Sequence, residues 1–134
     1  MIYLPRVNQP LKELPGLEVT VDQVTYMPEL EGPEQDLYPF LYAITIRNNS
    51  PLAVTVRGRK WVVRQENAET IVVEGDGVVG QFPHLEPGAE FSYNSKHFVK
   101  GTSEAEGAFF VEGTNGQRFC TRIPRFALML PDWA

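Results

Sequence analysis

Hydrophobic and polar residues alternate with a period of two in several short segments of the chain. In the clearest segment, residues 40–47, large apolar side chains stand at every second position from Phe40 to Ile46. This period is typical of a β-strand with one buried face. Because Leu41 and Ala43 make the second face apolar too, we expect this strand to lie in the middle of a sheet.

Similar alternation predicts further strands, with turn residues between them. These strands are expected to begin at Leu17, Val54, Ile71, Phe91, Ala108 and Gln117. The Asn115-Gly116 pair predicts a tight hairpin, whereas the polar residues 101–107 predict a loop. Breaks in the alternation predict β-bulges near Asp22 and at Gly58, and Pro124 places the last strand at a sheet edge or a bend.

The number and spacing of these segments predict the fold class. No window repeats apolar residues at helical spacing. Seven or eight short strands with turn signals between them predict an all-β fold, an antiparallel β-sandwich. A small barrel is the alternative way to close such strands. We interpret residues 1–16 as an extended N-terminal arm and residues 17–134 as the sandwich domain.

Length, composition and charge limit the possible domain number, cellular compartment and partners. A chain of 134 residues has the usual size of one domain. It has no apolar run long enough to cross a membrane, and no secretory signal is visible at its start. The single cysteine, Cys120, excludes an internal disulfide, so we expect a reducing cytoplasm. A net charge of −5 argues against a nucleic-acid partner.

The glycine-rich segment 75–80 matches the spacing GxGxxG through Gly75, Gly77 and Gly80, with Asp76 among them. In a dinucleotide-binding fold such a loop opens a helix whose N-terminal amides hold the pyrophosphate. No helical pattern follows here, and Pro83 comes soon after. We therefore expect the glycines to shape a connection between strands. An anion site on exposed loop amides is the alternative.

Four cations crowd around Trp61, which we expect to anchor the core as tryptophans do in sandwiches. They are Arg57, Arg59, Lys60 and Arg64. Together with the glycine-rich segment they form our candidate contact surface, either for a partner protein or for a phosphate-containing small molecule. A solvated strand edge is the competing interpretation, because Lys and Arg also block edge-to-edge pairing.

Catalytic and metal chemistry find little support in the sequence. Ser95, His97 and Cys120 are the only nucleophile or base candidates near strands, and no nucleophile elbow accompanies them. We predict no catalytic residue, no cofactor and no metal ligand. A divalent-cation binder remains a third hypothesis, because Glu29, Glu31, Glu34 and Asp36 lie in one connection; a solvated acidic loop is the simpler interpretation of that segment.

Several motifs, in order and spacing over roughly residues 17–128, resemble the ApaG family. They include residues 24–29 (VTYMPE), 38–42 (YPFLY), 44–48 (ITIRN), 59–61 (RKW), 74–81 (EGDGVVGQ) and 85–88 (LEPG). The chain departs from the family pattern at Lys60, where members often have histidine, and over residues 103–109, which replace a segment that usually carries Met-Xaa-Gly and a tyrosine. No role of that histidine or tyrosine is carried over.

The resemblance implies an immunoglobulin-like or fibronectin type III-like sandwich. It also implies an indirect link to cobalt and magnesium homeostasis, a binding role and a discussed pyrophosphate site at the glycine-rich segment. We therefore expect a non-enzymatic binding or interaction module in the cytoplasm, with a protein as partner and no nucleic acid or membrane. The oligomeric state is open, and a homodimer formed through sheet edges is one outcome.

Overall fold

The computed structural model describes residues 11–34 and 36–134. These residues form eight strands and no helix. The strands are β1 (Leu17–Tyr26), β2 (Tyr38–Asn48), β3 (Val54–Gln65), β4 (Ile71–Asp76), β5 (His84–Leu85), β6 (Glu90–Val99), β7 (Ser103–Gly113) and β8 (Arg118–Leu128). None of the described residues belongs to a helix of the length and apolarity needed to cross a membrane.

The strands form two antiparallel sheets packed face to face. One has the order β1-β2-β6, and the other has the order β4-β3-β7-β8 with β5 paired to β3. Their inner faces meet in one core, in which Ile44 and Ile46 of the first sheet and Trp61 and Phe109 of the second are almost fully buried. The predicted antiparallel β-sandwich of seven to eight strands is thereby confirmed. Its likeness to immunoglobulin or fibronectin type III domains stays a prediction.

Local features follow from the sequence pattern. β2 lies between β1 and β6, as its two apolar faces predicted. The pairing register shifts between Val21 and Gln23 and again between Val56 and Gly58, so both predicted bulges are confirmed. Gly116, at a φ of +82°, closes the turn between β7 and β8. β8 pairs only with β7 among the named strands, as expected for an edge.

The predicted loop over residues 101–107 is wrong, because β7 already begins at Ser103. Ser103 and Ala105 are small enough to be buried against the core, while Glu104 and Glu106 point outward and pair with arginines of neighbouring strands. The alternation was therefore present but carried by small and charged residues. Gly107 belongs to the same segment, and it must be glycine because a Cβ there would collide with the Lys60 carbonyl oxygen of β3.

The two sides of the sandwich differ. On the β1–β8 side the sheets are joined, since Thr121 Oγ1 donates a 3.1 Å hydrogen bond to the Leu17 carbonyl oxygen. The described part of the N-terminal arm also lies there, and the Cys120 amide donates to the Lys12 carbonyl oxygen at 3.0 Å. Residues 1–10 of the predicted arm lie outside the described residues. On the other side a cleft opens between β4 and β6.

Candidate functional site on the β4 side

Of the four predicted cations, Arg59 is the one that lines the cleft, where it is half-buried. It shares the inward-facing period of β3 with Trp61 and Val63. Its guanidinium crosses to β4 and donates hydrogen bonds to the carbonyl oxygens of Asp76 and Gly77, at 2.7 and 3.2 Å. This close approach requires Gly75, because a Cβ there would come within 2.8 Å of both terminal nitrogens of Arg59. These contacts fix the position of Arg59, and within the described part of the chain its guanidinium bonds to carbonyl oxygens and to no carboxylate.

The other three predicted cations each contact a carboxylate on a neighbouring strand. Their distances are 3.4 Å for Arg57–Glu112, 3.6 Å for Lys60–Glu74 and 3.3 Å for Arg64–Glu106. Exposed pairs of this kind contribute little stability, but they offset most of the positive charge of the predicted basic surface. Arg57 and Arg64 also lie at opposite ends of β3, roughly 20 Å apart at the usual strand rise. The structure therefore does not gather the four cations into one patch.

The glycine-rich segment leaves β4 and closes in a two-residue turn between Val78 and Gln81. The two residues exchange backbone hydrogen bonds of 2.8 and 2.9 Å, and both residues between them have positive φ, +43° at Val79 and +77° at Gly80. Such a turn matches the twist of paired strands. The amide of Gly77 donates to the Arg57 carbonyl oxygen at 2.7 Å. Two amides of the segment and that of Gln81 are thus engaged within the chain, and the glycines shape a bend between strands.

The cleft between β4 and β6 has a volume of about 370 Å³. Its apolar wall comes from Trp61, Ile71 and Val73. Its opposite wall carries polar groups from Tyr42, Ser95 and His97. The His97 ring stacks on Tyr42 with centroids 4.7 Å apart and meets Trp61 edge-on at 4.8 Å. Because the inward period of β6 places Tyr93, Ser95 and His97 on one face, a single strand supplies most of the polar wall.

Burial governs the protonation of these groups. It lowers the pKa of His97 from 6.5 to about 4, so the ring is neutral at physiological pH. It raises the pKa of Tyr42, against the opposing effects of a hydrogen bond with Ser95 and of the nearby Arg59 charge. It also raises the pKa of Tyr93. Tyr93 Oη and His97 Nε2 are buried, and neither has a hydrogen-bond partner among the described residues.

Apolar side chains are exposed around β4. Six large hydrophobic residues of the described chain are exposed, and four of them fall within residues 72–82: Val72, Val73, Val79 and Phe82. Of the named strands, only β3 pairs with β4. An edge of this kind presents backbone N–H and C=O groups to a further strand. Val72 pairs with Val62 on the outer face, whereas Val73 pairs with Trp61 on the face that lines the cleft.

The candidate catalytic residues do not come together. Cys120 lies on β8, the far edge of the sheet whose other edge is β4, and His97 lies on β6 in the opposite sheet. Burial and the neighbouring Glu13 raise the pKa of the Cys120 thiol, which disfavours the reactive thiolate. Within residues 11–34 and 36–134, no three His, Cys, Asp or Glu side chains form a group that could hold a metal ion.

Sequence reasoning found part of this site. It named Arg59 and the glycines of the loop, and it expected Trp61 to lie in the core, where Trp61 is 2% exposed. It did not place Tyr42, Tyr93 and His97 beside Arg59, because they come from the opposite sheet. The inward period of β6 was the available signal, but it could not show which strand faces β6 across the core.

The sequence of this chain is similar to those of known proteins. A sequence model described as the ApaG domain matches residues 28–113. The protein ApaG of Ralstonia nicotianae is 40% identical over 116 residues, which cover 85% of this chain and 94% of that protein. The protein ApaG of Brucella anthropi is 38% identical over 118 residues, which cover 87% and 90%.

A solved protein structure is also similar to this chain in sequence and fold. A crystal structure of a Bordetella pertussis protein called ApaA is 33% identical and superposes with a TM-score of 0.73, over 92% of this chain and 99% of that one. The family match covers more than half of the chain, and the curated relatives are covered almost completely. The chain therefore belongs to the ApaG domain family.

Proposed function

We propose that this chain is a non-enzymatic binding module that recognises another protein through the edge of β4 with which no described strand pairs, and through the turn that follows it. The observation that carries the proposal is the concentration of exposed apolar side chains on this edge, with Val72 55% exposed, Val79 46% and Phe82 52%. Exposed apolar side chains beside the edge of a sheet mark a common place for an extended segment of a partner to add as a further strand.

The details of the turn support a rigid contact surface. Val79 is β-branched yet adopts a φ of +43°, a conformation that costs free energy and persists only when its surroundings hold it. Held in this way, Val79 projects from the tip of the turn with its side chain exposed. A turn fixed before binding loses less conformational entropy when the partner docks.

The alternative of a phosphate or nucleotide on the glycine-rich segment receives less support. The amides of Gly77, Val78 and Gln81 donate to backbone carbonyl oxygens of the chain, so they are already engaged. Arg57, Lys60 and Arg64 already contact carboxylates. In our proposal the module works in the cytoplasm, and the link to cobalt and magnesium homeostasis that the resemblance implies is exerted through the bound partner.

Affinity capture from an extract of the source cells tests the proposal. The wild-type chain, Val72→Lys and Met129→Lys are immobilised separately, and the retained proteins are identified by mass spectrometry. Met129 is 69% exposed on the C-terminal side of β8, so its substitution makes the same chemical change away from β4. We expect one protein to be retained by the wild type and by Met129→Lys but lost with Val72→Lys.

Two further observations decide the interpretation. Both lysine variants should unfold within about 0.5 kcal/mol of the wild type, because they replace exposed side chains. Sedimentation of the purified chain over a range of concentrations shows whether the partner is a second copy, in which case Val72→Lys should yield monomers. Retention of the same proteins by all three chains would overturn the proposal.

A further inference from the structure

The cleft between β4 and β6 has a charge unlike that of the rest of the chain. The whole chain carries a net charge of −5. The residues that line the cleft, all within the described part of the chain, include two cations, Arg59 and Lys96, and no aspartate or glutamate. A concave site lined by one sign of charge between low-dielectric walls concentrates the field and attracts the opposite charge.

Arg59 is held in place without being neutralised. Its guanidinium donates to two backbone carbonyl oxygens, and it takes part in none of the ion pairs recorded between described residues. Carbonyl dipoles fix the direction of the side chain but leave its full charge available. A guanidinium fixed in this way needs little reorganisation to bind a carboxylate or phosphate group.

Two buried polar atoms beside the cleft lack partners. Tyr93 Oη and His97 Nε2 are both buried without a hydrogen-bond partner among the described residues. Buried polar atoms are nearly always paired in native proteins, so such exceptions call for an explanation. Tyr93 lies near the charge of Arg59, which lowers the pKa of its hydroxyl against the effect of burial. Of these two residues His97 lines the cleft, and a neutral imidazole N–H can donate to a ligand oxygen.

The apolar wall of the cleft, opposite the polar groups of β6, suits a flat apolar group. Trp61, Val63, Ile71 and Val73 line the cleft from the sheet that contains β3 and β4. The volume of about 370 Å³ lies within the range of small-ligand sites, which combine apolar walls with a few directed polar groups. Inorganic phosphate alone would leave these walls uncovered.

We propose that this cleft binds a small organic anion, with its carboxylate or phosphate oxygens at Arg59 and its apolar, aromatic-sized body against the wall formed by Trp61 and Val73. The ligand enters between β4 and β6, where Val73 is 38% exposed. This site and the proposed protein-binding surface use different side chains of β4, because Val73 and Val72 point to opposite faces of the strand.

Tryptophan fluorescence provides the readout. In a Trp133→Phe background only Trp61 remains of the two tryptophans, and Trp61 lines the cleft. The chain is titrated with benzoate, phenyl phosphate, the neutral analogue benzamide and inorganic phosphate. We expect saturable changes with benzoate or phenyl phosphate, and at least about tenfold weaker binding of both benzamide and inorganic phosphate. The stronger of the two aromatic anions identifies the preferred acidic group.

Matched variants locate the binding. Val73→Glu places a carboxylate at the mouth of the cleft and should weaken binding of the aromatic anion by at least about tenfold. Val72→Glu adds the same charge to the outer face of the same strand and should leave binding within about twofold, since exposed charges there are screened. Arg59→Met, checked for folding by circular dichroism, should also weaken binding of the aromatic anion by at least about tenfold.

Several results would overturn the inference. They are the absence of a saturable signal with both aromatic anions, equal binding of benzamide, equal binding of inorganic phosphate, or equal effects of Val73→Glu and Val72→Glu. Failure here is distinguishable from failure of the proposed protein-binding function, which is tested on Val72→Lys with no small molecule present.

Discussion

Single residues decide what the open side of this sandwich can do, and Arg59 is the clearest case. The period of β3 predicts that Arg59 shares a face with Trp61 and Val63, yet a charged residue is normally expected to face solvent. The structure resolves this conflict through Gly75, whose missing Cβ lets the guanidinium reach carbonyl oxygens of the next segment. The sequence contains both residues, but their contact depends on the pairing register of two strands.

Gly75→Ala should destabilise the chain through Arg59 and not through backbone strain. The added Cβ would come within 2.8 Å of both terminal nitrogens of the guanidinium. The side chain must then give up its hydrogen bonds to the carbonyl oxygens of Asp76 and Gly77. We expect a loss of about 1–2 kcal/mol in the free energy of unfolding, measured with urea.

A double-mutant cycle provides the control. In an Arg59→Met background there are no such hydrogen bonds to lose, so adding Gly75→Ala should change the free energy of unfolding by less than about 0.5 kcal/mol. The same loss in both backgrounds would show that Gly75 is needed for a reason unrelated to Arg59.

His97 should make stability depend on pH. Burial lowers its pKa from 6.5 to about 4 in the folded chain. Between these values the unfolded chain binds a proton that the folded chain does not, so acidification favours unfolding. The His97 contribution is complete above pH 6.5 and decreases as the pH falls toward 4, by up to about 3 kcal/mol in total.

Urea unfolding of the wild type and of His97→Phe between pH 7 and 4 isolates this effect from the titration of the carboxylates. Phenylalanine keeps the ring that packs between Tyr42 and Trp61 but cannot be protonated. We expect the wild type to lose more stability than the variant over this range. Parallel curves would mean that His97 titrates in the fold as it does in the unfolded chain.

At the scale of elements, the fold was predictable where large apolar residues mark the buried face. β2 and its central position follow from two apolar faces, and the β7–β8 turn follows from Asn115-Gly116. The first residues of strand β7 were not predictable in this way. Its inward residues, Ser103 and Ala105, are small, and its outward residues are glutamates that pair with arginines on neighbouring strands. An alternation of small and charged residues identifies a strand only when the neighbouring strands that pair with it are known.

The elements at one end of the sandwich are joined by a single buried side chain. Asn48 Nδ2 donates to the carbonyl oxygens of Leu52 and Leu85, both at 2.9 Å. Its Oδ1 accepts from the amide and hydroxyl of Ser50, at 3.1 and 2.6 Å. Asn48 therefore ties the end of β2 to the turn before β3 and to β5. The pattern of apolar residues gave no indication of this role.

Asn48→Ala should be strongly destabilising. It would remove the buried side-chain donor to the Leu85 carbonyl oxygen and the acceptor of the Ser50 amide, while Ser50 Oγ still bonds to Leu52, and we expect a loss of about 3 kcal/mol in the free energy of unfolding. Asn49→Ala is the matched control, because Asn49 is exposed; its effect should stay within about 0.5 kcal/mol. Thermal and urea unfolding measure both. Similar effects of the two substitutions would contradict the role assigned to Asn48.

At the scale of the whole molecule, the two long sides of the sandwich have different characters. Contacts between β1 and β8, together with the described end of the N-terminal arm, close one side. The other side ends in the edges of β4 and β6 and contains both the exposed valines and the cleft. Sequence period predicts the strands but not their order, because order depends on which strands meet across the core. The candidate site was therefore predicted only in part.

Site-specific photocrosslinking from position 72, in the cells that make the chain, tests the binding function most directly. A photoreactive phenylalanine analogue replaces Val72 in one variant and Met129 in another, both exposed in the structure. Because the edge of β4 is proposed to contact a protein, we expect illumination to give a discrete adduct of higher mass from position 72 and none from position 129. Adducts from position 129 alone, or from neither position, would contradict the proposed binding function.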